Sequence, residues 1–350
     1  MNPAFNTVIT ASDADRRDLF LGAAARLGTA VQNVEKDFWV CWTLDALFNG
    51  LAVNGPRLLF KGGTSLSKAF GLTSRFSEDI DITVFRGDLG QAAEVADLDA
   101  LSGKKRRARL AAILDACRTY ITGPLTGQLT QIAASVIPHS RFRLAPDPDD
   151  KDNQSLLFWY PVVTANSGEY IRSAVKIEGG AKSALDPHIA TTVSPYVSQD
   201  LPGMDLSVTN VTTVKPERTF WDKVMILHGL RQWHDRRGEL RYNGQRISRH
   251  YYDLHQLMRA PLAAIWHQDL PLAADCAHHA RLFFGNADLG LELAMPGTFA
   301  LTPTRAMEKA IDKDYKAMAG MVFGQVPLLE TVLESTARLE RLINGVAMRS

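Results

Sequence analysis

Between residues 58 and 84 the order of residue types leaves few choices of local structure. Leu58, Leu59 and Phe60 form a short apolar run that stops at Lys61-Gly62-Gly63-Thr64-Ser65. The residues from Leu66 to Phe70 then read as a short helix that Thr64 or Ser65 can cap. Further on, Asp79-Ile80-Asp81-Ile82-Thr83-Val84 alternates polar and apolar positions, so in a strand Asp79 and Asp81 project from one face. The predicted order is strand, glycine turn, helix, strand. A glycine turn entering a helix aims unpaired backbone N–H groups at one spot, and that suits phosphate.

Two carboxylates on one strand face repel each other. A bound divalent cation relieves the repulsion. Magnesium takes one or two carboxylates and fills its shell with water and substrate phosphates, which fits a pair beside a phosphate turn. Read alone, the D-x-D pattern also describes an edge strand with a solvated acidic face. The upstream Gly-Gly-Thr-Ser at this spacing favours the metal and phosphate reading.

The arrangement Gly-Gly-Thr-Ser, then Arg75-x-Ser77-x-Asp79-x-Asp81, resembles the signature of the nucleotidyltransferase superfamily. In its detailed form, Lys61-Gly62-Gly63-Thr64-Ser65-Leu66 with Phe76-Ser77-Glu78-Asp79-Ile80-Asp81 is similar to the AbiEii/AbiGii toxin family. These are bacterial nucleotidyltransferase-like toxins of abortive-infection (phage-defence) and toxin-antitoxin systems. The resemblance runs from Glu35 to about Leu257 with gaps, and is strongest from Phe60 to Val84. It implies an α+β fold, a mixed nucleotidyltransferase β-sheet flanked by helices and followed by a helical C-terminal region. It also implies magnesium-dependent transfer of a nucleoside monophosphate from a nucleoside triphosphate (NTP) to an acceptor.

The same resemblance assigns roles. Lys61, Gly62, Gly63, Thr64, Ser65 and Ser77 would hold the nucleotide, and Asp79 and Asp81 the metal. Superfamily members place a third carboxylate on a neighbouring strand, and Val175-Lys176-Ile177-Glu178 resembles that element, which makes Glu178 the candidate. Glu217 to Lys223 and Arg249 to Leu254 resemble the family's helical motifs, so Lys223 and Asp253 take the positions of a functional lysine and aspartate. Family members include enzymes that modify tRNA 3′ ends. That makes tRNA the leading acceptor and a cognate antitoxin an expected partner.

The remaining chain fits around this motif. Residues 13 to 50 read as two helices, and Glu35-Lys36-Asp37-Phe38-Trp39-Val40 predicts one packed on the sheet with its charged side facing out. Lys104, Lys105, Arg106, Arg107 and Arg109 begin an amphipathic helix that runs to about Ile121. Positive charges there oppose the helix dipole, so they are either solvated or meet phosphate. Strands are predicted over Arg141 to Leu144, Ser155 to Val163 and Tyr170 to Glu178, the last of them able to lie beside the Asp79/Asp81 strand. Pro216-Glu217 opens a helix with the stripe Phe220, Val224, Leu227 and Leu230. Leu230 to His250 is rich in arginine, and Arg236, Arg237, Arg241 and Arg246 are candidate RNA contacts. The expected division is residues 1–214, a nucleotidyltransferase core with N-terminal helices, and 215–350, a helical domain contributing to the active site. Adjacent His278 and His279 cannot share one metal and read as surface.

Composition adds exclusions. Among 350 residues, 46% are hydrophobic and 22% charged, with a net charge of +1, so the overall balance argues neither for nor against a nucleic acid partner. Cys41, Cys117 and Cys276 are widely spaced and suggest buried thiols, neither a disulfide framework nor a zinc site. No apolar run reaches the length of a membrane span and Met1 to Arg16 has no signal-peptide core, so no membrane association and a cytoplasmic location are expected. A kinase-like transferase is disfavoured because the chain lacks G-x-x-x-x-G-K-[ST] and an H-R-D and D-F-G pair. Two alternatives stand: nucleotidyl transfer to a small molecule such as an aminoglycoside, and a catalytically inactive nucleotide-binding regulatory protein.

Overall fold

A computed structural model of the chain describes residues 1–164, 173–244 and 246–345. It divides into two compact units, one comprising Met1–Gly71, Arg75–Glu94 and Ala100–Val214, the other Leu72–Ser74, Val95–Asp99 and the chain from Lys215 onward.

The first unit is built on a mixed sheet. Its first four helices are α1 (Ala4–Thr10), α2 (Asp13–Leu27), α3 (Val31–Asp45) and the short α4 (Gly62–Lys68). The strands β1 (Leu58–Lys61) and β2 (Asp79–Val84) flank α4, and β3 (Arg143–Pro146), β4 (Ser155–Trp159), β5 (Val175–Glu178), β6 (His188–Val193) and β7 (Val208–Val214) follow. Among the described residues the strand order is β3-β4-β5-β2-β1-β7-β6. β2 is antiparallel to β1 and parallel to β5, which puts the two acid-bearing strands side by side at the middle of the sheet.

Alternation decides which side chains enter the core. Ile80 and Ile82 of β2 are fully buried, and so are Leu59 and Phe60 of β1. Helix α3 covers the sheet through aromatic contacts, with Trp39 stacked on Tyr160 at 5.4 Å and Trp42 on Phe158 at 5.3 Å. Such pairs add stabilisation beyond the area that they bury.

Several local expectations need correction. The helix after β1 starts at Gly62 itself, with no intervening turn and no side-chain cap, so Thr64 and Ser65 lie inside it and it ends at Lys68 rather than Phe70. Gly62 permits this because its φ of +82° lets the chain leave the strand without connecting residues. The strand expected from Arg141 is displaced to Arg143–Pro146, and that from Ser155 stops at Trp159. Of the run expected from Tyr170 to Glu178, Tyr170, Ile171 and Arg172 lie outside the described residues, and β5 covers Val175–Glu178. The charged side of α3 faces inward: Glu35, Lys36 and Asp37 are each only 1% exposed. A single turn of charge reads as solvated unless its buried partners, far away in sequence, are known.

The second unit contains the five-residue helix α5 (Val95–Asp99). The basic cluster belongs to the first unit, on α6 (Gly103–Tyr120), which precedes α7 (Thr126–Ala134). Helix α8 (Pro216–Arg237) has proline in its first turn and stops at Gly238, whose φ of +72° suits a helix end. It runs two turns further into the arginine-rich stretch than the apolar stripe indicated. Helices α9 (Ser248–Arg259), α10 (Leu270–Phe283), α11 (Arg305–Met318) and α12 (Leu329–Gly345) complete the unit. Met307, Ile311, Tyr315 and Met318 form the buried stripe of α11 as their spacing implies. On α12 the buried stripe is Val332, Thr336, Leu339 and Ile343, whereas Leu328 lies exposed before the helix. His279 is buried and stacked on Phe283 at 4.3 Å, against the surface position expected for it. Cys41, Cys117 and Cys276 are free, buried thiols.

Candidate active site

The sheet brings three of the singled-out polar residues into one row. Lys61 of β1 pairs in register with Asp81 of β2, and Asp81 with Glu178 of β5. Asp79 lies two residues earlier on the same face, opposite Lys176. Glu178 therefore occupies the neighbouring-strand position expected of a third carboxylate.

The glycine corner is built to approach these acids closely. A Cβ added at Gly62 would overlap the carboxylate of Asp81, and one added at Gly63 would meet the guanidinium end of Arg75. Only the absence of side chains allows the corner to sit against the acid strand. The buried Thr64 hydroxyl lies 2.7 Å from Ser77 Oγ and within hydrogen-bond reach of the Asp79 carbonyl oxygen, so α4 is bonded directly to the start of β2. Ser65 Oγ donates to the Gly62 carbonyl oxygen at 2.9 Å and braces the corner from within.

Charge around Glu178 is balanced locally. Lys176 Nζ lies 2.7 Å from Glu178 Oε1 and 3.2 Å from Asp147 Oδ2. Burial pushes the Glu178 carboxyl up, but Lys176, Lys61 and a hydrogen bond with Asp81 more than offset it and hold the group below the ordinary range. Glu178 is thus ionised at neutral pH. Lys176 was not among the expected site residues, although its position two before Glu178 places both on one strand face.

Asp79 is buried and Asp81 half-buried. Their hard oxygen donors, two residues apart on one face, have the chemistry that magnesium prefers, and backbone N–H groups beside them suit phosphate. Among the described residues no group of three or more His, Cys, Asp or Glu side chains could hold a metal ion.

Sequence reasoning also missed a set of buried charges behind the sheet. Lys36 Nζ pairs with Glu78 at 2.8 Å, and Asp37 with Lys68 at 2.8 Å. Glu35 accepts from the backbone N–H groups of Val163 at 2.7 Å and Thr164 at 3.1 Å. Asp37 also accepts from the Tyr196 N–H at 2.7 Å, and Lys68 Nζ sits 3.8 Å over the Tyr196 ring. Burial pushes the Asp37 carboxyl up, against the pull of Lys68. Burial also opposes the Lys68 charge, but Asp37 and the groups around it hold its ammonium above the ordinary lysine range.

In the second unit, Lys223 on α8 and Asp253 on α9 form an ion pair at 2.9 Å, both buried. The candidate RNA-contacting arginines differ among themselves. Arg236 pairs with Glu292 at 3.0 Å and Arg237 with Asp288. Arg237 and Arg241 also lie over the Trp233 ring, at 5.6 and 5.5 Å. Arg246 has a φ of +57° and its backbone N–H donates to Asp314 Oδ1 at 2.7 Å.

Comparison with known proteins settles the family. The model of a family described as "Nucleotidyl transferase AbiEii toxin, Type IV TA system" matches residues 45–335. The chain belongs to this family. As an AbiEii protein it is a nucleotidyltransferase of the toxin-antitoxin class, for which an NTP is substrate and an antitoxin the partner. No curated protein matches it. Among solved structures it is similar to MenT4, a nucleotidyltransferase toxin from Mycobacterium tuberculosis H37Rv, at 16% identity with a TM-score of 0.40, covering 94% of this chain and 98% of that one. No helix among the described residues is long and apolar enough to cross a membrane.

Proposed function

We propose that this AbiEii protein transfers a nucleoside monophosphate from an NTP to the 3′ end of an RNA, with tRNA as the acceptor, and that it acts in the cytoplasm. The observation that carries this reading is the row Lys61, Asp81 and Glu178 with Asp79 beside it, set against a glycine corner that no larger residue could form.

Asp79 and Asp81 would hold magnesium, which when bound supplies positive charge to the triphosphate and Lewis acidity at the phosphorus under attack. Gly62 and Gly63 let the corner lie against Asp81 and Arg75, and the triphosphate tail would lie along this corner beside Lys61, Thr64, Ser65 and Ser77. Glu178, ionised at neutral pH, accepts the proton of the attacking hydroxyl, a task that needs an unprotonated carboxylate. Lys223, which pairs with Asp253, takes the position of the family's functional lysine and by that resemblance would supply a point positive charge for phosphate. Arg236, Arg237, Arg241 and Arg246 would take the acceptor's backbone. Arg236 and Arg237 must exchange their acidic partners for phosphate to do so.

The test is incubation of the purified protein with magnesium, each α-labelled NTP in turn and total bacterial tRNA, beside an Asp79→Ala control. Label entering RNA with the native protein alone supports the proposal and names the nucleotide. Label that enters only an aminoglycoside or another small acceptor moves the reading to that substrate class. Free label throughout, with no magnesium-NTP binding, leaves a regulatory protein.

A further inference from the structure

Three consecutive residues of α3 each brace a different piece of the first unit from the sheet's other side. Glu35 holds the backbone at Val163 and Thr164. Lys36 pairs with Glu78, the residue immediately before Asp79. Asp37 pairs with Lys68, the last residue of α4. The two pieces of the nucleotide site are therefore both anchored to neighbouring residues of one helical turn, the acid strand through Lys36 and the glycine-corner helix through Asp37.

Stability alone is a poor reason for this arrangement. Well-packed apolar side chains of similar volume often serve as well as a buried ion pair or better. What a buried pair does supply is direction, since charge and hydrogen-bond geometry must both be met at once. Here the direction falls on the backbone next to Asp79. Glu78 immediately precedes β2 and its carboxylate is held by Lys36 of α3, so fixing it fixes the backbone from which Asp79, the first residue of the strand, projects.

We propose that Lys36 is a positioning residue for nucleotidyl transfer. By holding Glu78 it sets the direction of the Asp79 carboxylate, and with Asp37 next to it the same helical turn holds the acid strand in register with the Gly62–Gly63 corner. The inference rests on the reading of Asp79 as a ligand of the catalytic cation, and it touches no reacting atom.

The test compares Lys36→Met, Lys36→Arg and Glu35→Gln in the full chain. Glu35→Gln removes a buried charge from the same turn but leaves both site pieces anchored. In Lys36→Met, amide hydrogen exchange at residues 79–81 should quicken by about tenfold or more, while Glu35→Gln leaves it unchanged at a similar loss of melting temperature. Turnover in Lys36→Met should fall by about 100-fold, the cost of a misplaced group, with KM for the NTP altered by no more than about twofold. Lys36→Arg, which can still pair with Glu78, should recover most of the turnover. The inference is overturned if Lys36→Met exchanges no faster at residues 79–81 than Glu35→Gln, or if both variants lose turnover in step with stability. Should Lys36→Met fail to fold, Glu78→Gln weakens the same pair from its other end and is read the same way. If the native protein labels no acceptor, the proposed function fails by that result, while the exchange comparison still decides the role of Lys36.

Discussion

Asp81 and Glu178 stand directly opposite each other across the parallel strands β2 and β5, although 96 residues of chain separate them. The proposed function gives them different roles, so their substitutions should differ. Asp81→Asn removes a charge from the proposed cation site, and loss of the Lewis-acid contribution should cost several kcal/mol, about 1000-fold or more in turnover. Glu178→Gln removes the proposed proton acceptor, a contribution of about 100-fold to 10,000-fold, and should leave the NTP KM nearly unchanged. Steady-state rates with labelled NTP distinguish the two. Equal losses in KM and turnover for Glu178→Gln would place it on the nucleotide instead.

Gly62 is the position where the corner tolerates least. Its φ is +82° and an added Cβ overlaps the Asp81 carboxylate. Gly62→Ala should therefore combine backbone strain of about 1–3 kcal/mol with displacement of Asp81. Gly63→Ala meets the far end of Arg75, a side chain that can move aside. The expected outcome is a lower melting temperature and nearly abolished transfer for Gly62→Ala, with a milder effect for Gly63→Ala. Differential scanning calorimetry and the labelling assay measure both.

These positions show what could be read from the residues in advance. Asp79 and Asp81 were legible because strand alternation places them on one face whatever the rest of the chain does. Glu178 was legible as a strand end, and its neighbour in the sheet followed from the resemblance. The burial of Glu35, Lys36 and Asp37 was not legible. Their partners Glu78, Lys68 and the Val163–Thr164 backbone are distant in sequence, and three successive charges ordinarily mark a solvated turn. The start of α4 was misjudged for a local reason, since a glycine with positive φ can join strand to helix with no connecting residue. The resemblance marks Lys223 and Asp253 as a functional lysine and aspartate, but nothing in one sequence says that they pair and that both are buried.

That burial makes the pair's two possible roles separable. Asp253→Asn leaves the Lys223 ammonium buried without its counter-charge and should cost about 3–5 kcal/mol of stability. The double variant Lys223→Met with Asp253→Leu removes both charges and should regain much of that loss. If Lys223 serves phosphate chemistry, the double variant is stable and inactive. A stable double variant with native transfer rates would make the pair a purely structural link between α8 and α9. Urea denaturation followed by the labelling assay on the same preparations gives both numbers.

His228 predicts how the second unit responds to acid. Burial lowers its pKa, against the pull of the Gly290 carbonyl oxygen on Nε2 at 3.0 Å. Its Nδ1 accepts the Ala300 N–H at 3.2 Å, so the folded protein needs the neutral ring with its proton on Nε2. In the unfolded chain the ring takes up a proton near pH 6.5, while the folded ring resists to lower pH. The unfolded state therefore binds more protons in that window. The stability contributed is fully present above about pH 6.5 and declines as pH falls towards the lowered folded pKa, by at most about 1.4 kcal/mol per pH unit for one group. His228→Gln keeps a donor near the Gly290 carbonyl but cannot titrate. It should be less stable than the native protein at pH 7.5 and show a shallower decline between pH 7 and 5. Some decline will remain, because burial also lowers the pKa of His255 and His267. Thermal melts across that range check the prediction, and equal slopes in the two proteins would remove His228 from the acid response.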